Sequence, residues 1–261
     1  MQKVTSKDGT YIAYEKRGAG PAVILVDGAL CYRSFGPMSH LAELLAPNFT
    51  AYIYDRRGRG DSGDTQPYAL ERECEDIGAL IKEAGGTAYV YGISSGAALA
   101  LEAAIRLGNK IQKLAMYEAA YNAEDGARQA WKEYRQQLSQ LLATGRRGDA
   151  IALFMKFNGT PSDQVDGMRQ APVWPMFEAV APTLAYDAAI LGEDWSAPIK
   201  RAAAVTIPAL VMNGTAIPFM QGTAVSLAKA MPLGQHRTLQ GQTHDVNLEV
   251  LAPVLKGFFA G

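Results

Sequence analysis

The segment from Tyr89 to Leu101 constrains this chain more than any other. A β-branched and aromatic run, Tyr89-Val90-Tyr91, leads into Gly92-Ile93-Ser94-Ser95-Gly96 and then into Ala97-Ala98-Leu99-Ala100-Leu101. Strand, G-x-S-x-G and helix in that order are what a nucleophile elbow requires. The central serine must sit on a tight, strained turn so that its hydroxyl stands clear of the backbone. Glycines two positions to either side leave room for that turn and let the helix pack close to the sheet. Ser94 is therefore the candidate nucleophile. A five-residue pattern with three fixed positions also arises by chance, so the strand before it and the helix after it carry the weight.

The flanking sequence supplies that context. Thr10 to Glu15 alternates like an exposed antiparallel strand, with a hairpin turn at Lys7-Asp8-Gly9 before it. Ala22–Val26 and Thr50–Tyr54 are continuous apolar runs, as expected of strands covered on both faces. Helices are expected over Ser39–Ala46 and Glu71–Glu83, the second closed by Gly85-Gly86, and a further strand over Ile111–Glu118. From Tyr121 to Arg201 the texture changes. Ala130–Leu142 and Asp149–Phe157 read as helices, and Val173–Leu191 scatters aromatics between prolines. No strand-like run occurs there, so residues 121–201 are expected to form an all-helical cap over a core built from residues 1–120 and 202–261. The strand and helix alternation resumes with Ala209–Asn213, Thr223–Met231, Arg237–Leu239 and Leu251–Phe259. The expected fold class is α/β, with a mostly parallel twisted sheet flanked by helices.

A serine nucleophile needs a base, and the chain has three histidines. His40 falls on the helix Ser39–Ala46 and reads as a surface or packing residue. His236 immediately precedes a short strand, where exposure is expected. His244 lies in the loop that follows that strand. Loops at the carboxyl ends of parallel strands gather at one edge of the sheet, the edge that also carries the elbow. His244 is thus the candidate base.

With these residues in hand, the chain resembles the α/β-hydrolase fold superfamily nearly end to end. Tyr54-Asp55-Arg56-Arg57-Gly58-Arg59-Gly60-Asp61-Ser62 is similar to that family's D-x-R-G-x-G-x-S loop, and the order Ser then His matches. Gly28 sits where the family's HG motif forms the oxyanion hole, although Asp27 replaces the histidine. The resemblance implies backbone N–H donors at Ala29 and Ser95. A second departure is larger. The family's usual triad acid follows the strand Ala209–Asn213 in a G-x-x-D pattern, but here the residues are Gly214-Thr215-Ala216-Ile217, and no Asp or Glu occurs from Arg201 to His244. Some members, such as certain haloalkane dehalogenases and lactonases, place the acid after the preceding strand, which points to Glu118. Asp245, beside His244, and Asp27, on the oxyanion wall, are weaker candidates. A hinge residue capping the start of the helical insertion is the bland reading of Glu118.

The resemblance implies acyl transfer to water: an ester or lactone of a small hydrophobic molecule, cleaved through an acyl-enzyme on Ser94 with no cofactor and no metal. The alternatives are a ligand-binding relative with little turnover, or a carbon–carbon hydrolase or lyase using the same site. Expected pocket residues are Gly28, Tyr121, Trp174, Phe177, Met220 and Val246, with Trp131, Phe154, Tyr186 and Trp195 as further potential wall residues. Only two or three of the cap aromatics are expected to face the cavity, the rest forming cap core. Arg56, Arg57 and Arg59, with Asp55 and Asp61 beside them, are expected to anchor their loop by backbone and carboxylate bonds rather than to bind phosphate.

Composition bounds the rest. With 261 residues, 48% hydrophobic, 20% charged and a net charge of −1, the chain describes a globular protein with no evident affinity for nucleic acid or an anionic membrane. Cys31 and Cys74 are its only cysteines and read as reduced thiols without a metal motif. No segment reaches 18 apolar residues, and the first residues lack an apolar signal core, so a cytoplasmic enzyme, free to form a homodimer, is the expectation.

Overall fold

Lys7, Asp8 and Gly9 turn the chain between two antiparallel strands, β1 (Gln2–Thr5) and β2 (Tyr11–Arg17). The computed structural model, which describes residues 1–261, then runs through β3 (Ala22–Val26), α1 (Met38–Leu45), β4 (Thr50–Tyr54), α2 (Leu70–Glu83), β5 (Ala88–Ile93), α3 (Ser95–Leu107) and β6 (Ile111–Tyr117). Six short or medium helices follow: α4 (Ala127–Ala143), α5 (Arg147–Phe157), α6 (Ser162–Met168), α7 (Trp174–Val180), α8 (Leu184–Ile190) and α9 (Ile199–Ala202). The chain ends with β7 (Ala209–Asn213), α10 (Pro218–Ala230), β8 (Gly234–Thr238) and α11 (Leu248–Ala260).

The eight strands form one sheet in the order β1-β2-β4-β3-β5-β6-β7-β8. β1 and β2 are antiparallel, and every pairing from β4 onward to β8 is parallel. Its two faces read directly off the pleat. Val23 and Leu25 of β3 pack with α1 and α11, whereas Ile24 and Val26 pack with α2, α3 and α10. Both faces are covered, which is why these strands are uninterrupted apolar runs. The helices between β6 and β7 share a continuous apolar core with the second face. No helix is long and apolar enough to cross a membrane.

The order of elements follows the sequence expectations, and the boundaries differ for identifiable reasons. α10 begins at Pro218 instead of Thr223 because proline at the first helical position has no N–H to lose there. α11 begins at Leu248, where the Asn247 side chain accepts the Glu249 N–H at 2.9 Å. β8 starts at Gly234, three residues early. It is an edge strand of mostly exposed polar residues, so hydrophobicity marks only its end. The Val173–Leu191 stretch resolves into α7 and α8, joined by a single 3₁₀ turn at Ala181–Thr183.

Candidate active site

Ser94 occupies the single residue between β5 and α3, with φ 57° and ψ −127°. A non-glycine residue pays strain there, and the surroundings must hold it in place. The Ser94 N–H donates to Tyr117 O at 3.0 Å, pinning the turn to β6. A Cβ on Gly92 would stand 2.4 Å from Gly96 O, and one on Gly96 would stand 2.4 Å from both Val26 O and Asp27 O. Both glycines are thus demanded by backbone passing within contact distance.

Glu118 follows β6 directly and also takes a positive φ, 45°. It is buried, and its N–H and both carboxylate oxygens have partners. Its N–H donates to Met212 O at 2.9 Å, Oε1 accepts the Gly214 N–H at 2.9 Å, and Oε2 lies 2.7 Å from His244 Nδ1. The side chain thereby reaches the end of β7, next to the place where the G-x-x-D acid would stand. Ile217 occupies that place and lines a cavity. The His244 loop is held from below: the Tyr117 hydroxyl donates to Thr243 O at 2.5 Å, and the Thr215 N–H to Gln242 O at 2.8 Å. With Nδ1 committed to the carboxylate, the Nε2 of a neutral imidazole is left as an acceptor. His244 and Ser94 line the same two cavities without a direct hydrogen bond between them. Such contacts commonly tighten only around a substrate.

The other candidates point elsewhere. Asp245 is exposed, and Asp27 Oδ1 accepts its own neighbour's Gly28 N–H at 2.9 Å. His40 is exposed near Glu249, and His236 Nε2 bonds Asn213 Oδ1 at 2.8 Å on the edge strand. The N–H groups of Ala29 and Ser95 bond no other group of the protein, and both residues line the cavity in front of Ser94. Gly28 touches the nucleophile's turn: a Cβ there would meet Ser94 Cβ at 3.2 Å. Burial pushes the Asp27 carboxyl up to about 6, against the Gly28 N–H and the Arg59 and Arg56 guanidinium groups, and its Oδ2 has no partner.

Two cavities meet at Ser94 and His244. The deeper, of about 180 Å³, is walled by Trp131, Tyr134, Phe154, Phe157 and Trp195 with aliphatic residues of α8. Trp131 stacks on Trp195 at 5.0 Å and Phe157 on Tyr134 at 4.4 Å. The wider, of about 570 Å³, opens past Ile217, Phe219 and Met220. Met220 lines the wider cavity, whereas four of the expected aromatics line neither. Tyr121 is buried away from both cavities. Trp174 donates its indole N–H to Glu178 Oε1 at 3.0 Å, and Phe177 stands edge-on to Phe35 at 5.2 Å. Tyr186 stacks on Tyr68 at 4.0 Å. Val246 lines neither of these cavities but a third hollow, of about 170 Å³, with Met38, Tyr91, Ile93 and His244. Tyr134 and Phe157, which do form walls, were passed over because helical periodicity does not say which face of α4 or α5 turns inward. No grouping of His, Cys, Asp and Glu could hold a metal ion.

Residues 18–254 match the family model described as the alpha/beta hydrolase family. The chain belongs to that family. This alpha/beta hydrolase is 50% identical to a crystallised alpha/beta hydrolase from Sphaerobacter thermophilus, with a TM-score of 0.90 over 99% of this chain and 100% of the other. A thermophilic esterase from Thermogutta terrifontis (20% identity, TM-score 0.70, 99% and 97% covered) and an enol-lactonase from Burkholderia xenovorans (20%, 0.69, 100% and 100%) share the fold. An uncharacterized hydrolase of Bacillus subtilis is 33% identical over 114 residues, and the chain spans 41% of that relative's length.

The arginines of this alpha/beta hydrolase's loop do bond carboxylates and backbone carbonyls, but the carboxylates are not the neighbouring Asp55 and Asp61. Asp55 and Asp61 bind Arg33. Arg57 instead forks onto Asp76 and reaches Asp8. Arg56 forks onto Glu73 and donates to Asp187 at 2.7 Å, while Arg59 donates to Asp187 at 2.8 Å. Asp187 comes from α8, more than 120 residues away, so local sequence carried no sign of it. Burial pushes its carboxyl up, but Arg59, Arg56 and the Ser95 hydroxyl more than offset this and hold it below the usual carboxylate range.

Proposed function

We propose that this alpha/beta hydrolase cleaves an ester or lactone of a small hydrophobic molecule through an acyl-enzyme on Ser94. His244 takes the Ser94 proton as Oγ attacks the carbonyl carbon, and the resulting oxyanion accepts from the Ala29 and Ser95 N–H groups. The imidazolium, steadied by Glu118, returns the proton to the leaving oxygen. Water then repeats the sequence on the acyl-enzyme and frees Ser94. The observation that carries this reading is the 2.7 Å contact of His244 Nδ1 with buried Glu118, which supplies an orienting carboxylate although none follows β7. The aromatic walls of the deep cavity favour an apolar acyl or alcohol group.

The test is intact-mass analysis after exposure to a fluorophosphonate probe, run on the parent, Ser94→Ala and Glu118→Gln. One adduct on the parent, none on Ser94→Ala and labelling slowed by about 10³–10⁴-fold in folded Glu118→Gln is the expected result. An unlabelled parent overturns it in favour of a ligand-binding protein. Parental labelling of Glu118→Gln removes Glu118 from the triad.

A further inference from the structure

We propose that Asp187 of the helical insertion, together with Arg59, positions both donors of the oxyanion hole. The proposal rests on the acyl-transfer reading above. The Ala29 N–H belongs to the same planar peptide as the Gly28 carbonyl, so whatever fixes that oxygen also aims the N–H on the opposite side. Arg59 Nη1 donates to Gly28 O at 2.5 Å and to Cys31 O at 3.1 Å, gripping the turn at two carbonyls. A cation on the amide oxygen also polarises the peptide and makes its N–H a stronger donor. Arg59 is itself held by the insertion: Nη2 donates to Asp187 Oδ2 at 2.8 Å and Nε to Thr183 Oγ1 at 3.0 Å.

The second donor is reached through the other carboxylate oxygen. The Ser95 hydroxyl donates to Asp187 Oδ1 at 2.7 Å, so the residue whose backbone N–H faces the oxyanion is fastened to the same side chain. Arg56 Nη1 completes the frame with bonds to Asp187 Oδ1 at 2.7 Å and Asp27 O at 3.5 Å. Arg56, Arg59, Ser95 and Asp187 are all buried, and the two guanidinium charges face two carboxylates, Glu73 and Asp187. Asp187 alone spans both halves of the hole. The insertion therefore completes the oxyanion site as well as roofing it.

Merely structural ion pairs would affect stability and leave turnover per folded molecule unchanged, which separates the two roles. Arg59→Lys, Arg59→Met, Ser95→Ala and Asp187→Asn are compared with the parent on p-nitrophenyl acetate, with melting temperatures alongside. An aryl trifluoromethyl ketone serves as a second probe: Ser94 Oγ bonds its carbonyl carbon, the π pair becomes an oxyanion, and the proton passes to His244. Removing a whole oxyanion donor costs about 10²–10³-fold, so misaiming one should cost about 10–100-fold in kcat. We expect that loss in both Arg59 variants, least in Arg59→Lys, and about three- to tenfold in Ser95→Ala, with KM within twofold and ketone affinity falling in parallel. If Asp187→Asn does not fold, Arg59→Lys and Ser95→Ala carry the test. Melting temperatures that drop while kcat and ketone affinity stay within twofold overturn the proposal, as does a loss confined to KM. A parent that neither hydrolyses the ester nor labels with fluorophosphonate overturns the acyl-transfer reading instead.

Discussion

At the scale of single residues, Asp27 is the departure with the clearest physical consequence. The unfolded chain releases this proton near pH 4, whereas the folded protein keeps it to about 6. Native Asp27 therefore binds more protons than unfolded Asp27 across that window, and its contribution to stability falls as pH rises through it. Above it, the buried charge costs on the order of 2–3 kcal/mol. Asn keeps an oxygen for the Gly28 N–H and carries no charge, so Asp27→Asn should exceed the parent by about 1–3 kcal/mol at neutral pH. The gain should shrink through the window and vanish near pH 4. Urea unfolding of both proteins at three pH values reads it, and a difference independent of pH would refute the argument. Legibility at this scale depended on reach. Ser94 has a local signature and His244 was found by scarcity and position, whereas Glu118 needed the family's alternatives and the sheet order to place it. Asp187 had neither a motif nor a nearby partner to betray it.

Among the elements, the elbow is where packing is least forgiving. Alanine for glycine inside a helix normally stabilises by about 0.5–1 kcal/mol. Gly96 lies in the first turn of α3, and its added Cβ would sit 2.4 Å from two carbonyl oxygens of the oxyanion turn. Gly96→Ala should therefore reverse the usual sign and destabilise by about 2–3 kcal/mol, or prevent folding. Thermal and urea melts decide; a neutral or stabilising outcome would mean that the oxyanion turn yields easily. The strands buried on both faces were legible because hydrophobicity there has a single cause. β8 was less so, since an exposed edge strand pairs through its backbone and leaves its side chains polar.

For the whole molecule, the sheet and the helical insertion divide the labour unequally. The sheet edge carries Ser94, Glu118 and His244, while the insertion supplies most of the deep cavity's wall. An all-helical block over the sheet was readable from composition, but not its inward faces, because those depend on how six helices settle on one another. Phe154 of α5 borders the deep cavity without being fully buried. Phe154→Ala should raise kcat/KM for p-nitrophenyl butyrate over the acetate by about five- to tenfold, in line with the small worth of each methylene in an apolar pocket. An unchanged ratio would place the acyl group in the wider cavity. In the proposed mechanism, the acid's place at Glu118 has a consequence on a longer timescale. With Glu118 reaching across from β6, the stretch from Thr215 to Met220 needs to supply no charge, although Gly214 is hemmed in by its neighbours and the Thr215 backbone is tied to Gln242. Ile217, Phe219 and Met220 all border the wide opening. Descendants of this protein can rewrite that stretch to admit new molecules while Ser94, His244 and Glu118 are inherited intact.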